Sequence, residues 1–516
     1  MKVLITTSGT GSRLGDLTNY TNKSLVRIGK KPAISYIIEQ YDEDIEFVIT
    51  IGHKGNLVVE FLEMTYPNRK FTFVEVDKYE GEGSSLAYSI SKAEKELQCP
   101  FIYQACDTIV LDKKDKLDNN WCGVYRKDHV DNSLYRTIKI NGSNVCSINN
   151  KGDINFDFIY IGVSFIKDYN LFWESMKLVL NENSGDSSDC DVINKMIKRN
   201  NFKYQIYDKW LDIGNTQSLT KAREEIYDSF QLLDKIDESL YIFDEFVIKF
   251  FNDEKIIKNR VERAKILGDL VPKILDVKNN FYKYEYVKGD LLSENINNIK
   301  IEKFLIWLKN NLWKTIENND DFYDICKNFY IDKTHKRLQQ LFKILNITDQ
   351  EDIINGIKIP PIKDLLSLID IDWLCNVKPY NFHGDLILDN VIFNGDFKLL
   401  DWRQDFGGDI KRGDIYYDLA KLNHNFILNH HLINKKYYNL DIDENGIRCD
   451  ILRSNMLCEC QDIFYEFVKN NRFDLAKIKL LTSIIWLNMS PLHDYPLNKF
   501  LYYFGKYNLY KNIKIM

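Results

Sequence analysis

Proline and glycine are scarce. Nine Pro and 24 Gly among 516 residues exclude a collagen-like or low-complexity chain, and 45% apolar with 28% charged residues is the composition of packed globular domains. No run of about 18 apolar residues occurs, so membrane insertion is not expected. The short apolar stretch in MKVLITTSGTG lacks the form of a secretory signal. The ten cysteines are scattered, and only Cys458 and Cys460 stand close together. Without paired CxxC motifs there is no zinc framework, and reduced thiols in a cytoplasmic protein are the expectation. An excess of positive charge is missing too. The 69 basic and 75 acidic residues give −6, which argues against a general nucleic-acid binder or a polybasic membrane surface. Anionic ligands are then a matter for local cations and backbone amides. There is no internal repeat and no Gly/Ser- or Pro-rich linker. The domains that this length predicts, two to four at about 100–200 residues each, are expected to be joined by a helix and packed together.

What is present falls into two textures. Apolar strands are predicted at residues 2–7, 47–52, 71–76, 101–107 and 156–166, with helical stretches such as KPAISYIIEQY between them. Alternation of that kind predicts an α/β domain with a parallel sheet covered on both faces. Beyond about residue 228 the pattern changes. Residues 240–251 read as paired antiparallel strands, 259–267 as a helix and 281–289 as a further strand. After residue 300 the pattern is mainly helical, with Leu305, Leu308, Leu312 and Ile316 at helical spacing.

The first constellation lies at the end of the first strand. In Ser8-Gly9-Thr10-Gly11-Ser12-Arg13-Leu14, glycines let backbone amides approach a polyphosphate and Arg13 can neutralise it. The spacing is neither the dinucleotide fingerprint nor a P-loop. Lys23, ten residues on, can neutralise the phosphate under attack. Gly81-Glu82-Gly83-Ser84-Ser85 precedes a helix and can line base and ribose. Asp107 and Asp212 each end an apolar strand of what is expected to be one parallel sheet. Packing explains such carboxylates poorly, and a pair converging on one crevice suits Mg²⁺ carrying a triphosphate. Together these residues resemble the sugar-nucleotide and phosphocholine-type nucleotidyltransferase family over about residues 1–225. The resemblance implies that Ser8, Gly9, Thr10, Gly11, Glu82, Gly83 and Ser84 bind the nucleotide, with Arg13 and Lys23 catalytic. It further implies that Asp107 and Asp212 hold Mg²⁺ and that Lys151 meets the acceptor phosphate. Two departures stand out: Asn22 occupies the usual proline position before the lysine, and Asn replaces the Glu before Lys151. Glu80 and Glu82 lean the base towards cytosine, whose exocyclic amine needs an acceptor; both also fit as solvated loop acids.

The second constellation is Phe382-His383-Gly384-Asp385 with Asn390, followed by Asp401-Trp402. An Asp, an Asn five residues on and an Asp eleven beyond match a catalytic loop, a hairpin and a metal-binding strand end. Asp385 would orient the attacking hydroxyl, and Asn390 and Asp401 would coordinate Mg²⁺ on the ATP phosphates; His383 reads as a structural hydrogen-bonding residue. With Lys249 on a strand, Glu262 on the next helix and a Tyr284-Glu285-Tyr286-Val287 hinge, residues 229–516 resemble the aminoglycoside/choline kinase family of small-molecule phosphotransferases. Asp414 and Asp418 would fix the loop. No Gly-rich lid precedes Lys249.

The expected architecture is a doubly wound Rossmann-like nucleotidyltransferase domain, residues 1–228, followed by an α+β bilobal kinase-like domain, 229–516. The small lobe of the latter covers about 229–287 and its helical lobe 288–516. The expected function is consecutive: ATP-dependent phosphorylation of a small hydroxylated acceptor, then coupling to CMP from CTP. The product would be a CDP-activated precursor for surface polysaccharide or lipid. A UDP- or dTDP-sugar pyrophosphorylase with a sugar kinase is the alternative, and a non-catalytic role for one half is a third reading. Self-association into a homo-oligomer is compatible with all three.

Overall fold

The computed structural model describes every residue except 113–117, 127–130, 183–184, 227–234, 318–320 and 514–516. Contacts divide the chain into two compact units: residues 1–254 with 275–284, and residues 255–274 with 285–516.

In the first unit the strand Lys2–Thr6 lies between two parallel neighbours, Glu46–Ile51 and Phe101–Ala105, and Lys70–Glu75 extends the parallel block. Side chains alternate across it, as a pleated strand requires. Val3 and Ile5 enter one core with Phe47, Ile49 and Phe61, while Leu4 enters a second with Val48, Phe101 and Tyr103. A sheet apolar on both faces needs cover on both. The helix Gly55–Thr65 supplies one layer through Val58, Phe61 and Leu62, and the helices Tyr169–Asn181 and Asp189–Ile197 supply the other through Phe172, Trp173 and Ile193.

The sheet is not wholly parallel. Phe158–Ile166 pairs antiparallel with Phe101–Ala105, and further antiparallel pairs continue to the edge hairpin Thr137–Asn141/Asn144–Asn149. A parallel neighbour needs a crossover, usually a helix. Among the described residues between 106 and 157 the chain forms strands and one short 3₁₀ turn instead, so it returns in the opposite sense.

The expected boundary at residue 228 falls outside the described residues. The strands that follow it, Glu238–Ile242 and Phe246–Phe251, form a four-stranded sheet with Phe281–Glu285 and Ile274–Val277. Tyr241, Phe243, Phe250 and Phe281 belong to the core of the first unit, where the Phe61 ring lies 5.2 Å from Tyr241 and 6.1 Å from Phe281. The Tyr241 hydroxyl also donates to the Leu25 carbonyl at 2.7 Å.

The second unit is built on the helices Asn298–Asn311, Lys333–Leu345, Ile415–Ile427, Asn455–Asn470, Leu475–Met489 and Leu497–Ile513. The predicted stripe is carried only in part by a helix. Leu305 and Leu308 face the core from Asn298–Asn311, but the Leu312 and Trp313 amides both close on the Leu308 carbonyl and end it. Ile316 then bonds to the Pro379 carbonyl in irregular chain. Two hairpins, Asp352–Ile354/Ile357–Ile359 and Tyr438–Asp443/Gly446–Ile451, form a sheet within this otherwise helical region. Among the described residues no helix is long and apolar enough to cross a membrane, and all ten cysteines are free.

Candidate active sites

The loop after Lys2–Thr6 turns sharply because Gly11 takes φ +70°, and a Cβ there would lie 2.8 Å from the Lys23 Cβ. Only glycine satisfies both conditions. Thus the loop and Lys23 touch at the backbone level. Among the described residues the Gly9, Thr10 and Gly11 amides have no intramolecular acceptor, so they are available to an anion. Asn22 accounts for its own presence. Its buried side chain donates to the Thr7 and His53 carbonyls at 2.8 and 2.7 Å and accepts from the Ser24 amide at 2.9 Å. That ties the lysine turn to the ends of the first two strands.

Asp107 lies between Phe101–Ala105 and the short strand Thr108–Val110. Asp212 ends Trp210–Asp212, which pairs antiparallel with Thr108–Val110 in a separate ribbon. The two carboxylates are therefore not delivered by one parallel sheet, as the sequence led us to expect. A two-stranded ribbon, closed by the Ile213 amide on the Asp107 carbonyl at 3.0 Å, brings them together. Their meeting point can be located. The position of a Cβ on Gly214 lies 3.1 Å from Asp212 Oδ1, 3.4 Å from Arg13 Nη2 and 3.4 Å from Asp107 Oδ2.

Lys23 Nζ donates to Asp107 Oδ2 at 2.8 Å, both side chains being about a fifth exposed. Burial opposes each charge, but mutual attraction outweighs it: the ammonium is held above the ordinary lysine range and the carboxyl below the ordinary carboxylate range. Both stay charged at neutral pH. Asp212 Oδ2 accepts from the Tyr135 hydroxyl at 2.8 Å. Burial and the Asp212 charge push that phenol upward, so it remains a donor. Tyr135 has no signature in the sequence, since a lone tyrosine in a polar stretch carries no spacing signal.

Ser8 Oγ donates to Ser89 Oγ at 3.0 Å, joining the first loop to the helix Leu86–Ser91. The turn carrying Glu82, Gly83 and Ser84 precedes that helix, and Glu80 and Glu82 are exposed. Ser84 closes the turn by donating its hydroxyl to the Gly81 carbonyl at 2.7 Å, while Ser85 caps the helix through the Tyr88 amide. Lys151 is exposed, and among the described residues no hydrogen bond or ion pair joins it to Arg13, Asp107 or Asp212. Its turn is tied by the Gly152 amide to the Asn132 carbonyl, three residues before Tyr135.

In the second unit Asp385 and Asn390 sit together: Asn390 Nδ2 donates to the Asp385 carbonyl at 2.9 Å and to its carboxylate at 3.4 Å. Lys421 Nζ pairs with Asp385 Oδ1 at 2.6 Å. Against the penalty of burial, that pairing holds the Asp385 carboxyl down at about 2. Asp401 stands at the end of the hairpin Val391–Phe393/Phe397–Leu399, with φ +53°, and is ion-paired to Arg260. Its charge is felt by Asp385. Lys421 and Arg260 gave no sequence signal, since neither belongs to the loop motif. His383 is fully buried. Its Nε2 meets the Leu400 carbonyl at 2.8 Å, and burial lowers its pKa to about 4, so it is neutral and structural. Asp418 receives the His383 and Gly384 amides at 2.8 and 2.7 Å, and Asp414 caps Ile415–Ile427 while accepting from the Tyr330 hydroxyl. Glu262 is half exposed and pairs with Lys265 on its own helix. Glu285 accepts the Lys273 amide at 3.2 Å, followed by a partly buried Val287. Lys249, in the strand Phe246–Phe251 of the first unit, is buried with its ammonium 5.4 Å from the centre of the Phe251 ring.

No family model matches the chain. Its N-terminal half is similar to nucleotidyltransferases. It is 24% identical over 231 residues to the bifunctional protein GlmU of Methanococcus aeolicus, covering 44% of this chain and 54% of that one. It is 29% identical over 132 residues to choline-phosphate cytidylyltransferase of Streptococcus pneumoniae, covering 25% and 55%. A probable glucose-1-phosphate cytidylyltransferase of Bacillus subtilis is 35% identical over 75 residues, covering 14% and 30%. The chain thus spans about half, or less, of the length of the curated relatives it matches. Among solved structures, the CTP:phosphocholine cytidylyltransferase of Streptococcus pneumoniae aligns with 44% of this chain and 98% of its own at 20% identity, with a TM-score of 0.37. A UDP-glucose pyrophosphorylase bound to UDP-glucose aligns over 44% and 98% at 17% identity, with a TM-score of 0.39.

Proposed function

We propose that the chain is a bifunctional enzyme: the second unit phosphorylates a small hydroxylated acceptor with ATP, and the first couples the product to CMP from CTP. The observation that carries the nucleotidyl-transfer part is the convergence of Arg13, Asp107 and Asp212 on one point beside Lys23. An acceptor phosphate oxygen attacks the α-phosphorus, the bond to the β-phosphate bridging oxygen breaks, and pyrophosphate leaves. No covalent nucleophile is required, only positioning and charge neutralisation. Arg13, Lys23 and the free Gly9–Gly11 amides serve those ends on the triphosphate, and Tyr135 orients Asp212.

Two half-buried carboxylates close to one point suit Mg²⁺, an oxygen-seeking cation that keeps part of its shell for substrate phosphates. Among the described residues no group of three or more His, Cys, Asp or Glu could hold a metal, so nucleotide oxygens would complete the shell at Asp107/Asp212 and at Asn390/Asp401. When bound, the cation offsets charge on the phosphates. The cytidine reading draws support from two relatives named as cytidylyltransferases and from the exposed acceptors Glu80 and Glu82.

For the second unit the support is the loop itself. Asp385 is held ionised by Lys421 and bonded to Asn390, with Asp401 within electrostatic reach. The acceptor hydroxyl oxygen attacks the γ-phosphorus, ADP leaves, and the hydroxyl proton passes to solvent. A carboxyl held at about 2 is a weak base, so Asp385 orients the hydroxyl. The test is to follow pyrophosphate release from CTP and ADP release from ATP separately over a panel of small alcohols and their phosphates. Pyrophosphate formed from UTP or dTTP in preference to CTP would discard the cytidine reading and leave the site standing.

A further inference from the structure

Beside Asp385 lies a concentration of positive charge of which the sites above use only Lys421. Lys333 and Arg337 stand four residues apart on Lys333–Leu345, hence on one face of that helix. The Lys333 ammonium lies 4.2 Å from the centre of the Phe329 ring, and the Arg403 guanidinium lies 5.2 Å from the same centre. Arg403 belongs to the catalytic loop's own packing: its amide donates to the His383 carbonyl at 3.0 Å, and a Cβ on Gly384 would fall 2.6 Å from its Cβ. Lys421, four residues after a Tyr417 that packs 4.9 Å from Phe329, completes the group.

The charges do not cancel. Lys421 is committed to Asp385. Among the described residues Lys333, Arg337 and Arg403 make no ion pair. Asp405, the further carboxylate that acts on Lys333, accepts the Gly408 amide at 3.0 Å. All three cations are only partly exposed. Burial first, then Arg403, Arg337 and Lys421, press the Lys333 ammonium down to about 6. A lysine so placed gives up its proton readily at neutral pH, and an anion beside it restores the ammonium form.

We infer that Lys333, Arg337 and Arg403 form a receptor for an anionic group on the acceptor, a carboxylate or a phosphate, which sets the reacting hydroxyl at Asp385. The acceptor is then a hydroxy acid or a phosphorylated polyol, and a cationic amino alcohol is disfavoured at this site. The inference rests on the kinase reading of the second unit. In the reaction the γ-phosphoryl group moves from ATP to the acceptor hydroxyl oxygen, the bond to ADP breaks, and the anionic group is unchanged.

The full-length protein is titrated calorimetrically with inorganic phosphate and with glycerate, in wild type, Lys333→Gln, Arg337→Gln and the charge-retaining Lys333→Arg. Thermal melting establishes that each variant is folded. Separately, ADP release is measured with acceptors of different charge, in the pairs glycerate against glycerol and glycerol 3-phosphate against glycerol, and with the cationic ethanolamine. We expect each Gln variant to bind at least one probe tenfold or more weakly, Lys333→Arg to keep most of the affinity, and the acidic member of a pair to be the better acceptor. Phosphate against glycerate tells which anion is recognised. Unchanged affinity for both probes in both Gln variants overturns the anion receptor, whether or not the unit is a kinase. Glycerol or ethanolamine used as well as the acidic acceptors overturns the acceptor class and leaves the kinase reading standing. ADP release with none of them overturns both.

Discussion

At the scale of single residues, charge stands where no packing argument needs it. Asp107→Ala or Asp212→Ala removes a carboxylate from the point shared with Arg13. Pyrophosphate release should fall by about a hundredfold or more, with nucleotide affinity changed far less, since the carboxylates act on charge that develops during transfer. Steady-state kinetics beside a CTP titration would check this; an affinity loss that explains the whole rate loss would contradict it. Titration gives a second prediction. His383 has a folded pKa of about 4 against an ordinary 6.5, so as pH falls through 6.5 the unfolded chain takes up the proton first and stability is lost progressively down to about pH 4. Asp414 and Asp418, both raised to about 6 by burial, act with the opposite sign over the same window because the folded state binds their protons first. Removing His383 should therefore leave the acid-side gain exposed. Denaturant unfolding of His383→Gln between pH 7 and 5 should show stability falling less, or rising, relative to wild type. Parallel curves would rule this out.

At the scale of elements, the parts fixed by hydrophobic periodicity were legible in sequence, and the parts fixed by pairing were not. Val3, Leu4 and Ile5 announce a strand buried on both faces, because neither side of the alternation is polar. Nothing in FDFIYIGVSFI says which way it runs beside its neighbour, since register and direction depend on the connection. The hairpin at Asn355-Gly356, where both residues take positive φ, +49° and +76°, as a type I′ turn requires, interrupts a region that the sequence reads as mainly helical. The flanking strands are only three residues long and yield little pattern. The glycine loop, Lys23 and the Asp385–Asn390–Asp401 spacing were visible because local geometry needs those residue types at those intervals. Tyr135, Lys421, Lys333 and Arg337 were not, because they reach their sites through tertiary packing. Asn22 shows how an element can depend on one side chain. Asn22→Ala would leave the buried Thr7 carbonyl and the partly buried His53 carbonyl without its amide, at a cost of about 1–3 kcal/mol. It should also slow nucleotidyl transfer by loosening the Lys23 turn. Chemical denaturation and pyrophosphate assays on one preparation would show both effects or disprove the coupling.

At the scale of the whole molecule, the strands at 238–251 and 281–285 complete the core of the unit that carries Asp107 and Asp212. A chain ended at residue 228 loses Tyr241, Phe243, Phe250 and Phe281 from that core, each worth about 1.5–3 kcal/mol of burial. The truncated protein should be destabilised or insoluble by calorimetry; a fragment melting as well as the full chain would refute the assignment of those strands. Whether one chain carries two separate phosphate chemistries is tested most directly by a crossed pair of variants. Wild type, Asp107→Ala and Asp385→Asn are each supplied with CTP plus a phosphorylated acceptor, and in parallel with ATP plus the free acceptor. We predict that Asp107→Ala loses pyrophosphate release and keeps ADP release, while Asp385→Asn does the reverse. Loss of both activities in either variant, or of neither in both, would contradict two independent sites.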